Sequence, residues 1–208
     1  MRVGIFGGSF DPPHVGHLLV AQDAYEALSL DRMLVIPAGQ QPLKLGTRTT
    51  AGHRLAMTGL GFRGVAGFEV DPIEIERGGL SYMVDTVESL RQRWPSADLH
   101  LLVGEDAAAT FSQWKEPARL RSMARLVVLR RAVASDKPVP SPELASALEL
   151  PEHQLATRRL DVSSTEIRAR VRDGRSIRGF VTDAVAEYIV STGLYLRDPI
   201  DADVSARA

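Results

Sequence analysis

Residues 2–17 read RVGIFGGSFDPPHVGH, and the fold is decided within them. Arg2 to Phe6 is short and apolar and runs into the Gly7-Gly8 pair, which reads as a buried strand. A glycine pair at a strand end lets the chain turn sharply and lets a ligand approach main-chain N–H groups. Asp11-Pro12 is a turn signal, and Pro13 suits the entry to a helix. Val15 to Leu28 then carries Leu18, Leu19, Ala21, Tyr25 and Leu28 at helical spacing. Met33 to Ile36, ahead of Pro37, is a second short apolar run. Strand, helix and strand within about 36 residues make a βαβ unit, whose two strands lie parallel.

The alternation continues outward from this unit. Pro37 to Gly52 is polar and glycine-rich and reads as a loop, and His53 to Leu60 as a short helix. Phe68 to Ile75 reads as a strand or edge segment. Ser81 to Trp94 reads as a helix with Ser81 as its N-cap and Pro95 beyond its end. Leu99 to Val103, ending at Gly104, is a third core strand, and Leu126 to Leu129 a fourth. Pro138 to Pro151 reads as a surface excursion with one short helix, and Gln154 to Val162 as room for another strand. Ser164 to Arg172 is a helix closed by Gly174. Thr182 to Ser191 is the last helix, with Val181, Ala184, Val185, Tyr188 and Ile189 on one face and Gly193 after it. Asp198 to Ala208 has no periodicity and reads as a frayed tail. Strands alternating with helices predict an α/β fold with a mainly parallel sheet, whose ligand sits beyond the carboxyl ends of the strands.

Composition narrows the function. The chain has 208 residues, enough for one domain with a sizeable core. It is 44% hydrophobic and 25% charged, which excludes disorder as a description of the whole. Lys plus Arg is 25 and Asp plus Glu 26, a net charge of -1, so a nucleic-acid binder working by bulk electrostatics is not expected. There is no cysteine, which excludes disulfides, cysteine-ligated metals and thiol nucleophiles. No apolar run reaches membrane-spanning length, and MRVGIFGGSF lacks the apolar region of a secretory signal. A cytoplasmic location without membrane partners is the expectation.

Two stretches carry chemistry. His14 and His17 are three apart, at the expected start of a helix, where free N–H groups and the macrodipole favour an anion. Together they read as an anion-stabilising device, with Gly16 leaving room for a flat ring against the helix. A bland βα turn with two surface histidines is the alternative, and a metal site has no third ligand nearby. The second stretch is Ser163-Ser164-Thr165-Glu166-Ile167-Arg168. Ser163 and Glu166 have capping-box spacing, and Ser164 and Arg168 share a helix face, so hydroxyls, N–H groups and a guanidinium converge as a polyphosphate requires. Taken alone, it is also an ordinary helix start.

The string GGSFDPPHVGH and the stretch SSTEIR resemble the two signatures of the nucleotidylyltransferases that share an HxGH motif, a group related to class I aminoacyl-tRNA synthetases. Within that group the chain, from residue 2 to Leu196, resembles the bacterial nicotinate-nucleotide adenylyltransferases. Pro37 to Lys44, Ser81 to Thr86, Val103-Gly104-Glu105-Asp106, Phe111 to Trp114, Tyr188-Ile189 and Gly193-Leu194-Tyr195 carry the likeness further. Departures are Ala132-Val133 after Arg130-Arg131, Met83 after Tyr82, and Arg178 to Thr182 before the last helix.

The resemblance implies a single Rossmann-like, doubly wound domain over residues 1–197 with a C-terminal helical part, and a flexible tail over 198–208. It implies transfer of the adenylyl group of ATP to nicotinate mononucleotide, with Mg²⁺ carried by the ATP phosphates and no protein metal site. His14, His17 and Arg168 are then the catalytic candidates. Gly7, Gly8, Ser9, Phe10, Gly16, Gly104, Asp106, Ser163, Ser164 and Thr165 join them at ATP. Ser9, Lys44, Thr86, Trp114 and Arg131 fall to nicotinate mononucleotide. The residues themselves leave alternatives open: Asp106 as a helix N-cap, Trp114 as a loop tryptophan packed on the domain, Lys44 as a solvated lysine, Thr86 as helix surface. A relative acting on nicotinamide mononucleotide or phosphopantetheine, or a non-catalytic nucleotide sensor, are the rival readings, and oligomeric state stays open.

Overall fold

A computed structural model describes residues 1–42, 47–131, 154–158 and 160–196. Its strands are β1 (Arg2–Gly8), β2 (Arg32–Pro37), β3 (Phe68–Val70), β4 (Asp98–Gly104), β5 (Arg125–Arg131) and β6 (Gln154–Thr157). They form a six-stranded sheet in the order β3-β2-β1-β4-β5-β6, and every pairing is parallel. The chain leaves β1 towards β2 and β3, then returns to β4 and winds the other way. The switch lies between β1 and β4, and in folds of this kind the ligand crevice lies beyond the carboxyl ends of the strands there. The expected doubly wound α/β fold is the fold observed.

The strands sort their side chains with a period of two. Val3, Ile5, Leu34, Ile36, Leu99, Leu101 and Val103 face one layer, where α4 (Met83–Arg93) and α6 (Pro117–Met123) supply Val87, Leu90 and Leu120. Phe6, Met33, Val35, Leu102, Val127 and Leu129 face the other, against Ala21 and Ala24 of α1 (Val15–Ala27). A third cluster joins α2 (Ala51–Gly61), α7 (Ser164–Arg172) and α8 (Asp183–Thr192) through Met57, Ile167, Val185 and Ile189. Two short helices, α3 (Ile73–Arg77) and α5 (Glu105–Ala109), follow β3 and β4.

Three expectations need correction. The segment Phe68 to Ile75 is a strand only as far as Val70. Asp71 Oδ1 accepts from the Ile73 N–H at 3.0 Å, and Pro72 has no N–H for a ladder, so the chain turns into α3 instead. Ser81 is not the N-cap of α4. Tyr82 holds that position, and the Ser81 hydroxyl accepts from the Gly39 N–H at 2.8 Å. The strand expected over Gln154 to Val162 stops at Thr157. The excursion expected from Pro138 to Pro151 and the tail from Asp198 lie outside the described residues. No helix among those described is long and apolar enough to cross a membrane.

Gly67 takes φ +80, and a Cβ there would overlap the Tyr25 hydroxyl. Its carbonyl also accepts from the Met33 N–H at 2.8 Å, anchoring β2. Gly67→Ala is expected to lower the free energy of unfolding by at least about 2 kcal/mol, measured by urea denaturation.

Candidate active site

The β1–α1 loop leaves the sheet at the switch point. Phe10, at φ 48, turns its ring into the core, edge-on to Phe6, His17 and Phe62 at 5.7, 5.1 and 6.1 Å. Any contact of Phe10 with a ligand is therefore made by its backbone. Gly7 and Gly8 end β1, and half-buried Ser9 follows with its carbonyl accepting from Arg54 at 3.1 Å.

His14 and His17 cap each other. His14 is the N-cap of α1, and its Nδ1 accepts from the His17 N–H at 3.3 Å. His17 Nδ1 accepts from the His14 N–H at 3.2 Å. Histidines thus fill both places of a capping box normally taken by Ser or Thr and Glu. An accepting Nδ1 carries no proton, so these bonds assign the neutral tautomer with its proton on Nε2 to both rings. Each ring then carries its N–H at Nε2, on the side away from the cap. The rings stack at 3.7 Å and 27°. Gly16 is buried, and a Cβ on it would lie 3.0 Å from His14 Nδ1. The His14 imidazole therefore lies close against Gly16, where any side chain would crowd it.

The second motif lies against the first. Ser163 caps α7 by accepting from the Glu166 N–H at 3.1 Å. Ser164 donates to the Pro12 carbonyl at 2.8 Å, and Arg168 to the Asp11 carbonyl at 2.7 Å and the Thr165 hydroxyl at 3.1 Å. Ser163 and Thr165 are exposed. Two helix starts, two imidazoles and a guanidinium therefore surround one loop. The arrangement can stabilise several negative charges at once.

Beneath the loop lie groups that the sequence did not reveal. Asp11 is only 4% exposed. Its carboxylate accepts from the Arg48 N–H at 2.6 Å, the Thr49 hydroxyl at 2.7 Å and the Tyr195 hydroxyl at 2.7 Å. Arg54, 1% exposed, donates to the carbonyls of Ser9, Ala38 and Gly39. Burial lowers its pKa, opposed by the nearby carboxylates of Asp11 and Glu74. A hint of Arg54 was present: it shares the buried face of α2 with Met57 and Thr58. Nothing about Asp11 distinguished it from an ordinary turn residue.

On the other side of the crevice, Gly104 ends β4 and is the N-cap of α5. Asp106, in the first turn of α5, is exposed and is not the cap. Beside it Glu105 pairs with Arg130 at 3.2 Å, and Arg130 reaches Gln154 at 2.8 Å. Trp114 is half-buried and packs on Phe111 at 5.2 Å, and its neighbour Lys115 pairs with Asp85 at 3.0 Å. Thr86 is fully buried, unlike a helix-surface threonine. It donates to Glu74 Oε1 at 2.7 Å and accepts from exposed Arg77 at 3.1 Å. Lys44 and the Arg131 side chain lie outside the described residues. Among those described, no group of three or more His, Cys, Asp and Glu side chains is arranged to hold a metal ion.

Comparison with known proteins gives a consistent answer. The profile of the cytidylyltransferase-like family matches residues 5–170. A protein of Gemmatimonas aurantiaca named as a probable nicotinate-nucleotide adenylyltransferase is 61% identical over 211 residues, covering 100% of both chains. Proteins of the same name from Roseiflexus sp. and Thermus thermophilus are 44% and 42% identical, covering 93% and 94% of this chain and 97% and 100% of theirs. Among solved structures, the nicotinic acid mononucleotide adenylyltransferase of Plasmodium falciparum, complexed with NaAD, superposes with a TM-score of 0.76 over 93% of this chain and 97% of that one. At 17% identity that likeness concerns the fold.

Glu74 yields a test of the crevice wall. Burial raises its pKa above the ordinary value of 4.5, although Thr86, Ser81, Arg77 and Arg54 pull the other way. A raised carboxyl pKa stabilises the fold fully below the unfolded value and loses that contribution as pH rises through the folded value. Glu74→Gln removes the titration. Its melting temperature relative to wild type is expected to rise as pH climbs above the ordinary carboxyl value of 4.5, because wild type loses its neutral-carboxyl contribution there and the variant does not.

Proposed function

The chain belongs to the cytidylyltransferase-like family and, within it, to the nicotinate-nucleotide adenylyltransferases, and we infer from that membership how its site works. The enzyme transfers the adenylyl group of ATP to nicotinate mononucleotide, giving nicotinate adenine dinucleotide and pyrophosphate. The observation that carries the assignment of roles is the double hydrogen bond of Ser164 and Arg168 to the Pro12 and Asp11 carbonyls. It draws both signature stretches into one anion site at the sheet's switch point.

In this reading the 5′-phosphate of nicotinate mononucleotide attacks the α-phosphorus of ATP. A P–O bond forms to the mononucleotide, and the bond to the β-phosphate oxygen breaks. The nucleophile is already an anion, so no side chain has to take a proton from it, and no covalent enzyme intermediate is required. What remains is positioning and the stabilisation of charge. His14 and His17 donate through Nε2–H to the phosphate oxygens. Ser163, Ser164, Thr165 and Arg168 hold the β- and γ-phosphates that leave. The backbone of Gly7, Gly8, Ser9 and Phe10 lets the phosphates approach the strand end, and Gly16 acts indirectly by seating the His14 ring. Gly104 and Asp106 receive the ribose. Mg²⁺ carried by the ATP phosphates would offset part of their charge.

On the acceptor side, Trp114 has its Phe111 contact to orient it for stacking on the pyridine ring. Ser9, Lys44 and Arg131 complete the mononucleotide site. Thr86 acts from within, because its hydroxyl is engaged by Glu74 and Arg77. It sets the start of α4 against α3 and meets substrate through its surroundings.

His17→Ala is expected to lower kcat by about 10²–10³, the loss typical of one such donor. Because His17 also completes the cap of α1, the variant should lose about 1 kcal/mol of stability and remain folded at 25 °C. Steady-state kinetics with thermal melting checks both, and near-wild-type turnover would remove His17 from the mechanism. Pyrophosphate release with ATP and Mg²⁺ should strongly favour nicotinate mononucleotide over nicotinamide mononucleotide and phosphopantetheine at matched concentrations. Equal use of both pyridine nucleotides would leave the adenylyl transfer intact and refute carboxylate recognition.

A further inference from the structure

We propose that Tyr195, from the C-terminal turn, is a positioning residue for adenylyl transfer that acts through Asp11. The inference rests on the functional reading above. The Asp11 carboxylate receives hydrogen bonds from separated stretches of chain: Arg48 and Thr49 ahead of α2, and Tyr195 beyond α8. The Asp11 carbonyl accepts from Arg168, and the next carbonyl, of Pro12, from Ser164. Three residues on from Asp11 stands His14, the cap of α1. The orientation of Asp11 is therefore shared by the histidine pair and the guanidinium.

Tyr195 is held for this contact. Gly193 closes α8 in the left-handed conformation, and the Leu194 N–H returns to the Ile189 carbonyl at 3.1 Å. Tyr195 then takes φ 65, a conformation that a residue with a side chain adopts only when its surroundings impose it. Its hydroxyl reaches Asp11 Oδ1 beside Met57. Burial and the Asp11 charge keep the phenol protonated, so it donates at every pH the enzyme meets.

The chemical reason lies in the competition for Arg168. A buried carboxylate demands its full set of donors. The Arg54 guanidinium is engaged by three backbone carbonyls, and Arg168 stands close enough to act on the Tyr195 phenol electrostatically. With Tyr195, Thr49 and the Arg48 N–H in place, the carboxylate is satisfied, and Arg168 remains directed to the phosphates. Without the Tyr195 donor, Asp11 Oδ1 draws on Arg168, and the guanidinium leaves the position where leaving-group charge develops.

The test is Tyr195→Phe, which keeps the ring and removes the donor. Its kcat is expected to fall about tenfold, with KM for ATP and for nicotinate mononucleotide within about twofold and the fold intact by thermal melting. Asp11→Asn should absorb the effect, so that the double variant is no slower than Asp11→Asn alone. If Tyr195→Phe does not fold, Thr49→Val removes another donor from the same oxygen and should show the same loss of kcat. Wild-type kcat in whichever of the two variants folds, or independent, multiplying losses in the double variant, would overturn the proposal. Absence of pyrophosphate release by the wild-type enzyme would instead overturn the functional reading, and this proposal with it.

Discussion

Everything at the site follows from β1 being flanked by two parallel strands. Its neighbours β2 and β4 both run in its own direction, so each connection must cross over the sheet, and the two windings depart in opposite senses. The loop after β1 therefore has no hairpin partner to tie it down. Its backbone has to find partners elsewhere. They come from far along the chain: Arg54 for Ser9, Arg168 for Asp11, Ser164 for Pro12, and the Val15 N–H donating to the Phe180 carbonyl. The same absence of a strand partner leaves room for a substrate. Loop support and ligand site are thus two results of one topology.

The two histidines combine tasks that most proteins keep apart. A Ser or Asp cap would hold the start of α1 at least as well. Imidazoles there add a second nitrogen to each cap, and the capping bonds choose which nitrogen keeps its proton. On the mechanism proposed above, helix formation thereby prepares the donors before any substrate arrives, the form of preorganisation that electrostatic catalysis needs.

The parts legible in the sequence were those governed by local rules. β1, β2 and β4 announced themselves as apolar runs ending at Gly or Pro, α7 by its Ser163 cap, and α8 by its one apolar face and the Gly193 that follows it. The HxGH and SSTEIR stretches were legible as helix starts, and resemblance supplied the chemistry. Long-range contacts defeated the rest. Ser81 has the composition of a cap but is claimed by Gly39, 42 residues away. Thr86 looks like a surface threonine and is buried because Glu74 and Arg77, on another helix, engage its hydroxyl. Asp11 is a turn residue by every local criterion, and the partners that make it a junction lie 37 to 184 residues away.

The burial of Arg54 has a consequence for how the site meets its ionic surroundings. Salt at 0.1 M largely screens exposed charges more than about 10 Å apart, yet acts much less on a charge enclosed by protein. Arg168 stands at the partly open surface, whereas Arg54 sits under Ser9, sealed by three carbonyls. The charge of Arg168 is therefore open to counterions, whereas the hydrogen bonds of Arg54 to the Ser9, Ala38 and Gly39 carbonyls are shielded from them. On the proposed reading, a rise in ionic strength therefore weakens phosphate capture at Arg168 without loosening the loop that Arg54 supports.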